Sequence, residues 1–239
     1  MSWKRKLKKF LERTRGGLIV SCQSERGSPF HSTKFMVAYA MAAEMAGASG
    51  IRTNGTRYIK AIKKAIDLPI IGIYKKHYPG FEVYITPTKR EAALIARAGA
   101  DIIGIDATMR SRPLRTRLDD LIGFIKYELG LPVLADISTV KEAVNAEKLG
   151  ADVIATTLSG YTSYTREKAD KGPDIELVRE LSQRLNAPII AEGRYWSPEE
   201  VCSALRAGAH AVVVGTAITR PHKIIERYVK AIKQLGMRT

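Results

Sequence analysis

The 239-residue sequence has few of the residues that mark a disulfide-bonded or metal-binding protein. It contains only two cysteines, Cys22 and Cys202, and four histidines, and none of them has the spacing of a metal site. Two cysteines in so long a chain are more typical of buried thiols than of a disulfide. The sequence therefore predicts a protein without a bound metal and without a disulfide framework.

Long hydrophobic runs and nucleotide-binding loops are also missing. No apolar stretch approaches the roughly 20 residues that a transmembrane helix needs, so no membrane partner is predicted. The N-terminus lacks the apolar core of a signal peptide, and we therefore expect a cytoplasmic protein. Neither Gly-x-x-x-x-Gly-Lys-Ser nor Gly-x-Gly-x-x-Gly occurs, so nothing in the sequence calls for a nucleotide or an organic cofactor.

What the sequence does contain is a regular alternation of short apolar runs. The runs at residues 50–52, 101–105, 152–155 and 211–214 follow Gly-Ala dipeptides, and those at 69–73, 132–135 and 188–191 begin with proline. Glycine suits the left-handed residue that ends a helix, and proline at a first strand position costs no ladder hydrogen bond. With residues 17–21 there are eight apolar runs, each followed by a helical pattern, and this predicts a (β/α)8 barrel.

An open, doubly wound sheet would give a similar pattern, because its parallel strands are also apolar on both faces. The count of eight and the chain length favour the barrel as one domain over residues 17–239.

A basic segment precedes this domain. Residues 1–15 hold seven Lys and Arg residues against Glu12, in a chain whose formal net charge is +15. Its apolar residues Trp3, Leu7, Phe10 and Leu11 follow helical spacing. Residues 1–16 are therefore predicted to form a basic amphipathic helix. The favoured interpretation is a helix that covers the N-terminal end of the barrel with its charges in water. The alternative is an arm that binds nucleic acid or anionic lipid.

Polar side chains follow all eight apolar runs, at the strand ends where barrel enzymes place their chemistry. Lys75 follows the third run and Glu192 the seventh. Lys76 and Arg52 would lower the pKa of Lys75 through charge repulsion. A lysine and a carboxylate across one pocket are suited to moving a proton on the carbon next to a carbonyl. A helix N-cap or an exposed loop would explain any one of these polar residues, but it explains poorly why polar residues follow all eight runs.

Glycines follow the last two runs, in Glu192-Gly193-Arg194 and in Gly215-Thr216. Barrel enzymes often bind phosphate at these loops through backbone amides and a helix N-terminus. Glycine lets the backbone approach phosphate oxygens closely, although turn geometry alone would also favour it. Together with the positive charge of the chain, these loops predict a phosphorylated substrate.

Several of the strand-end motifs resemble the N-acylglucosamine-6-phosphate 2-epimerase family. The matching segments are residues 50–52, 68–73, 84–88, 106–108, 135–139, 156–162, 191–194 and 215–221. A shared barrel alone would not produce Thr-Thr-Leu-Ser-Gly-Tyr-Thr at residues 156–162. The resemblance runs from residue 17 to the end and implies a TIM barrel of the ribulose-phosphate-binding kind. It also implies an isomerase that interconverts N-acetylmannosamine 6-phosphate and N-acetylglucosamine 6-phosphate in amino-sugar and sialic acid breakdown.

The same resemblance implies roles for individual residues. Lys75 would remove or return the C2 proton of the ring-opened sugar, and Glu192 would be its acid/base counterpart; Lys76 is the alternative base. The sugar-contacting positions are Gln23, Arg52, Asp136 and Arg220. The phosphate-contacting positions are Gly193, Arg194, Gly215 and Thr216. The family needs neither a metal nor a redox cofactor.

Two other functions stay open at this point. A related phosphosugar-binding barrel enzyme, a lyase or a synthase, would use the same phosphate site for different carbon chemistry. A basic scaffold that binds nucleic acid through residues 1–15 is the less favoured hypothesis, and its binding would depend strongly on salt. Near the C-terminus, Ile224, Ile225, Tyr228 and Ile232 suit either the core or a dimer face. We predict a homodimer.

Overall fold

A computed structural model of the chain describes residues 2–25 and 27–235 and shows a closed barrel of eight parallel strands, paired in chain order. The strands are β1 (Leu18–Cys22), β2 (Gly50–Asn54), β3 (Ile70–Ile73), β4 (Ile102–Asp106), β5 (Val133–Asp136), β6 (Val153–Ala155), β7 (Ile189–Glu192) and β8 (Ala211–Val214). All eight lie where the apolar runs predicted them, and the (β/α)8 barrel is confirmed. Residues 1, 26 and 236–239 of the predicted helix and barrel domain lie outside the described residues.

Helices alternate with the strands and surround them. They are α1 (Ser2–Thr14), α2 (Thr33–Met45), α3 (Thr56–Ala65), α4 (Lys89–Ala98), α5 (Leu118–Gly123), α6 (Val140–Lys148), α7 (Ile175–Arg184), α8 (Pro198–Arg206), α9 (Thr216–Thr219) and α10 (Pro221–Gln234). A π-helical turn, Phe124–Glu128, extends α5, and short 3-10 segments lie at Pro113–Arg115 and Ser163–Lys168. Among the helices described, none has both the length and the apolar character needed to cross a membrane.

The glycines and prolines of the sequence pattern have the local roles expected of them. Gly99 ends α4 with φ 102°, and Gly47, Gly150 and Gly208 are likewise left-handed. Only glycine adopts this conformation at little cost, so the helices end there and the chain turns into the next strand. Pro69 directly precedes β3, and its carbonyl accepts a hydrogen bond from the Ile51 N–H at 2.9 Å.

Helix α1 closes the N-terminal end of the barrel. Phe10 is 1% exposed and belongs to the same buried cluster as Ile71 and Leu134, which point into the barrel. Thr14 Oγ1 donates to the Phe10 carbonyl at 2.9 Å. The basic residues lie on the outer face, where the Lys8 side chain is 78% exposed. The apolar face of α1 therefore completes the barrel core while its charges remain in solvent.

We expect Phe10→Ala to lower the free energy of unfolding by about 3–5 kcal/mol, because it removes a buried ring from a closely packed layer. Lys8→Ala, on the exposed face of the same helix, should change it by less than about 0.5 kcal/mol. Urea denaturation followed by circular dichroism measures both. Equal stabilities for the two variants would show that α1 does not contribute to the barrel core.

Candidate active site

The carboxyl ends of the strands surround a cavity of about 440 Å³. Nine of the ten predicted site residues line it: Gln23, Arg52, Lys75, Glu192, Gly193, Arg194, Gly215, Thr216 and Arg220. The tenth, Asp136, does not line the cavity and is fully buried. Parallel strands bring their ends to one rim, which is why residues far apart in the sequence meet here.

Asp136 forms a buried ion pair with Arg52. Arg52 Nη1 and Nη2 donate to Asp136 Oδ1 and Oδ2 at 2.9 and 2.7 Å. The two side chains are 1% and 0% exposed, and they come from β2 and β5, which are not neighbours in the barrel. Since two charges this deeply buried are tolerated only as a well-bonded pair, the pair fixes the position of the guanidinium.

Glu192 shares that guanidinium. Glu192 Oε2 lies 2.8 Å from Arg52 Nη1 and 3.0 Å from the hydroxyl oxygen of Thr157. Burial raises the pKa of Glu192 to about 7; Arg52 opposes this rise, and the negative charge of Asp136 adds to it. Glu192 is thus a carboxyl group that exchanges a proton near neutral pH.

Lys75 lines the cavity from the end of β3. Its backbone N–H donates to Asn54 Oδ1 at 2.8 Å, and its Nζ lies 6.0 Å from the centre of the Tyr84 ring. Burial lowers the pKa of Lys75 and the charge of Arg52 lowers it further, while Glu192 opposes the change.

The neighbouring Lys76 does not line the cavity. Its Nζ lies 3.7 Å from Glu91 Oε1, on α4, and 4.8 Å from the centre of the Tyr78 ring. Of the two candidate bases in the sequence, Lys75 is therefore the one that faces the site. Only a group within reach of the proton can remove it, so this geometry favours Lys75.

The loops after β7 and β8 present backbone donors to the cavity. The N–H groups of Gly193, Arg194, Gly215 and Thr216 donate to no acceptor within residues 2–25 and 27–235. Gly193 and Arg194 both have positive φ, 117° and 62°. These four donors are suited to the oxygens of a phosphate group.

The guanidinium of Arg194 is engaged elsewhere. Its Nε donates to the Gly172 carbonyl at 2.5 Å, and Nη1 donates to the Ser159 carbonyl. The group also lies 5.5 Å from the centre of the Tyr161 ring. The side chain thus holds the segment after β6.

Gln23 and Arg220 occupy the side of the cavity next to β1. Gln23 Nε2 donates to Ser21 Oγ at 2.8 Å, whereas its buried Oε1 has no partner among the described residues. Arg220 Nη1 lies 2.6 Å from Glu25 Oε1. Both side chains keep polar groups available to a polar ligand.

Thr157 and Tyr84 are among the lining residues that were not predicted as site residues. Thr157 follows β6, so the strand-end rule that selected Lys75 and Glu192 could have found it. Tyr84 belongs to the long connection after β3, and no strand-end signal points to it. It reaches the cavity because Lys75 pairs with Ile85 in an isolated antiparallel bridge.

Comparisons with known proteins agree on one family. The family model described as "Putative N-acetylmannosamine-6-phosphate epimerase" matches residues 36–234. The chain belongs to this family. A relative from Caldanaerobacter subterraneus subsp. tengcongensis, named "Putative N-acetylmannosamine-6-phosphate 2-epimerase", is 51% identical over 225 residues, which are 94% of each chain. A relative of the same name from Shouchella clausii is 44% identical over 93% of this chain and 98% of its own.

A solved structure of the family agrees with these relatives. The N-acetylmannosamine-6-phosphate 2-epimerase from Clostridium perfringens is 43% identical in sequence and superposes with a TM-score of 0.89, covering 92% of this chain and 95% of its own. The family resemblance inferred from the strand-end motifs is therefore confirmed.

The buried ion pair gives a test of the site geometry. Asp136→Leu leaves Arg52 without its principal partner, and we expect it to lower the free energy of unfolding by about 3–5 kcal/mol. The double variant Arg52→Met/Asp136→Leu removes both charges and should recover at least half of that loss. Urea denaturation of the three proteins measures this. A double variant less stable than Asp136→Leu would contradict the pairing.

Proposed function

We propose that this protein interconverts N-acetylmannosamine 6-phosphate and N-acetylglucosamine 6-phosphate, in the breakdown of amino sugars and sialic acids. The observation that carries the proposal is the pair of Lys75 and Glu192, which face one cavity with pKa values displaced in opposite directions. Displaced pKa values of this kind are typical of groups that transfer protons. Membership of the epimerase family supplies the substrate.

The proton transfer proceeds on the open-chain sugar, whose C1 aldehyde acidifies the C2 hydrogen. Lys75, as the neutral amine, takes the proton from C2. The electron pair of that bond moves toward C1, and negative charge develops on the aldehyde oxygen. Glu192, as the neutral acid, is placed to donate a hydrogen bond or a proton to the substrate oxygens. A proton from Glu192, passed through a substrate hydroxyl to the other face of C2, gives the epimer as the C1 aldehyde re-forms, and it leaves Lys75 protonated and Glu192 ionised.

In this proposal, one part of the cavity binds the phosphate and another part, between Lys75 and Glu192, transfers the proton. Lys75 follows β3 and Glu192 is the last residue of β7, and these two strands are opposite each other in an eight-stranded barrel. The backbone donors after β7 and β8 would hold the phosphate on C6, so that C2 extends toward the centre of the cavity. Binding energy from the phosphate would then orient a carbon that the phosphate does not touch.

We propose further that the reaction needs neither a metal nor an organic cofactor and takes place in the cytoplasm. In the described part of the chain, no three His, Cys, Asp or Glu residues are grouped as metal ligands would be. Both points stay predictions.

The predicted homodimer has support from α10. None of its residues is buried, and Ile225, Tyr228 and Ile232 are 61%, 70% and 41% exposed. Apolar side chains so exposed along one helix are typical of a surface that a second chain covers. A second copy of this chain is the partner we propose for it.

Exchange of the C2 hydrogen with solvent tests the proposal. Protein treated with a chelator is incubated with N-acetylmannosamine 6-phosphate in deuterium oxide, and proton NMR follows the C2 signal and the product. We expect loss of that signal and formation of N-acetylglucosamine 6-phosphate. Lys75→Ala should slow exchange by about 100- to 10,000-fold, because the base is missing.

The matched control is Lys76→Ala, which removes the neighbouring lysine that points away from the cavity. It should exchange within a few-fold of the parent protein. Folded parent protein without any exchange would contradict the proposed reaction. Undiminished exchange by Lys75→Ala would contradict the assigned base.

A further inference from the structure

The hydroxyl of Thr157 lies between two carboxyl groups. Its Oγ1 is 2.6 Å from Asp136 Oδ1 and 3.0 Å from Glu192 Oε2. Arg52 Nη1 contacts the same two oxygens, at 2.9 and 2.8 Å. The four atoms therefore form a closed ring, in which the nitrogen and the hydroxyl each bridge the two carboxyl oxygens.

The number of hydrogens in this ring is limited. Arg52 Nη1 carries two hydrogens and donates one of them to Asp136 Oδ1, but the Thr157 hydroxyl carries only one. The shorter contact is to Asp136, whose carboxylate is also held by both guanidinium nitrogens, so the hydroxyl hydrogen lies there. Thr157 then presents a lone pair to Glu192 Oε2. Two oxygens at hydrogen-bond distance with no hydrogen between them repel each other.

We propose that Thr157 holds Glu192 in its protonated form, by donating its own hydrogen to Asp136 and accepting the hydrogen of the neutral Glu192 carboxyl. The inference rests on the proposed function, in which neutral Glu192 is the acid. Thr157 does not exchange a proton with the substrate in this arrangement. It is a positioning residue that acts through Glu192.

The charged groups around Glu192 come from several strands. Arg52 on β2 and Lys75 after β3 favour the ionised carboxylate, and Asp136 on β5 favours the neutral acid. A hydrogen bond donated by Thr157 to Glu192 would also favour the carboxylate, but the shorter contact of the hydroxyl, to Asp136, places its hydrogen there instead. Burial also favours the neutral acid, which agrees with the raised pKa of Glu192. Arg220, after β8, faces Lys75 in the same cavity.

The Thr157 hydroxyl interacts differently with the neutral and the ionised forms of Glu192. With neutral Glu192, Thr157 makes two hydrogen bonds; with ionised Glu192 it makes one, and the second oxygen faces a lone pair. Removing the hydroxyl therefore costs the neutral state more than the ionised state. We expect Thr157→Val, which keeps the shape of the side chain, to lower the pKa of Glu192 by about 1, the value of one hydrogen bond.

The pKa is measured in the free protein by carbon-13 NMR of protein labelled at the glutamate side-chain carboxyl, with Glu192→Gln to assign the signal. The Glu192 carboxyl should titrate with a midpoint near 7 in both the parent and Thr157→Ser. In Thr157→Val its midpoint should lie at lower pH. A pKa raised by Thr157→Val would mean that the hydroxyl donates to ionised Glu192, and an unchanged pKa would mean that it has no effect. Either result overturns the inference.

The pH dependence of kcat/KM supplies the second measurement. If Glu192 must be protonated, kcat/KM falls as pH rises through its pKa, and in Thr157→Val this fall should begin at lower pH. A merely structural role for Thr157 would instead lower kcat/KM by one factor at every pH, and that result would contradict the inference. The NMR titration involves no substrate, so failure of the epimerase proposal would not be mistaken for failure of this one.

Discussion

The buried ion pair of Arg52 and Asp136 determines how the rest of the site behaves. Asp136 takes both guanidinium nitrogens of Arg52 and is itself fully buried. Arg52 remains close enough to lower the pKa of Lys75, yet Asp136 prevents it from fully stabilising an ionised Glu192. This ion pair thus lies beside two groups on the cavity wall, Lys75 with a lowered pKa and Glu192 with a raised one, as is typical of a proton-transferring site.

Two parts of the fold surround the Arg52–Asp136 ion pair: the apolar interior of the barrel and the loops after β7 and β8. Phe10 closes the N-terminal end of the barrel, so the interior beneath the ion pair is apolar. The low dielectric of that interior gives burial its large effect on the pKa of Glu192. Beside the pair, the N–H groups of Gly193, Arg194, Gly215 and Thr216 have no acceptor among the described residues, and the Arg194 guanidinium holds the neighbouring segment in place.

Local signals explain how much of this the sequence could predict. Left-handed glycines such as Gly99 and prolines such as Pro69 act through their own backbone geometry, so the eight strands and their ends were predictable. Lys75 and Glu192 followed from the strand ends. The choice between Lys75 and Lys76 depends instead on an irregular bridge to Ile85, a contact between segments that no local pattern encodes. The hydrogen-bond ring around Thr157 and the engagement of the Arg194 side chain also depend on distances between separate loops.

The orientation of the bound sugar determines whether phosphate binding places C2 between Lys75 and Glu192. A crystal structure of the Lys75→Ala variant with N-acetylglucosamine 6-phosphate bound would test it most directly. We predict phosphate oxygens within about 3 Å of the backbone nitrogens of Gly193, Arg194, Gly215 and Thr216, with C2 between position 75 and Glu192. A phosphate bound on the β3 side of the cavity, or a C2 turned away from both groups, would contradict the arrangement described here.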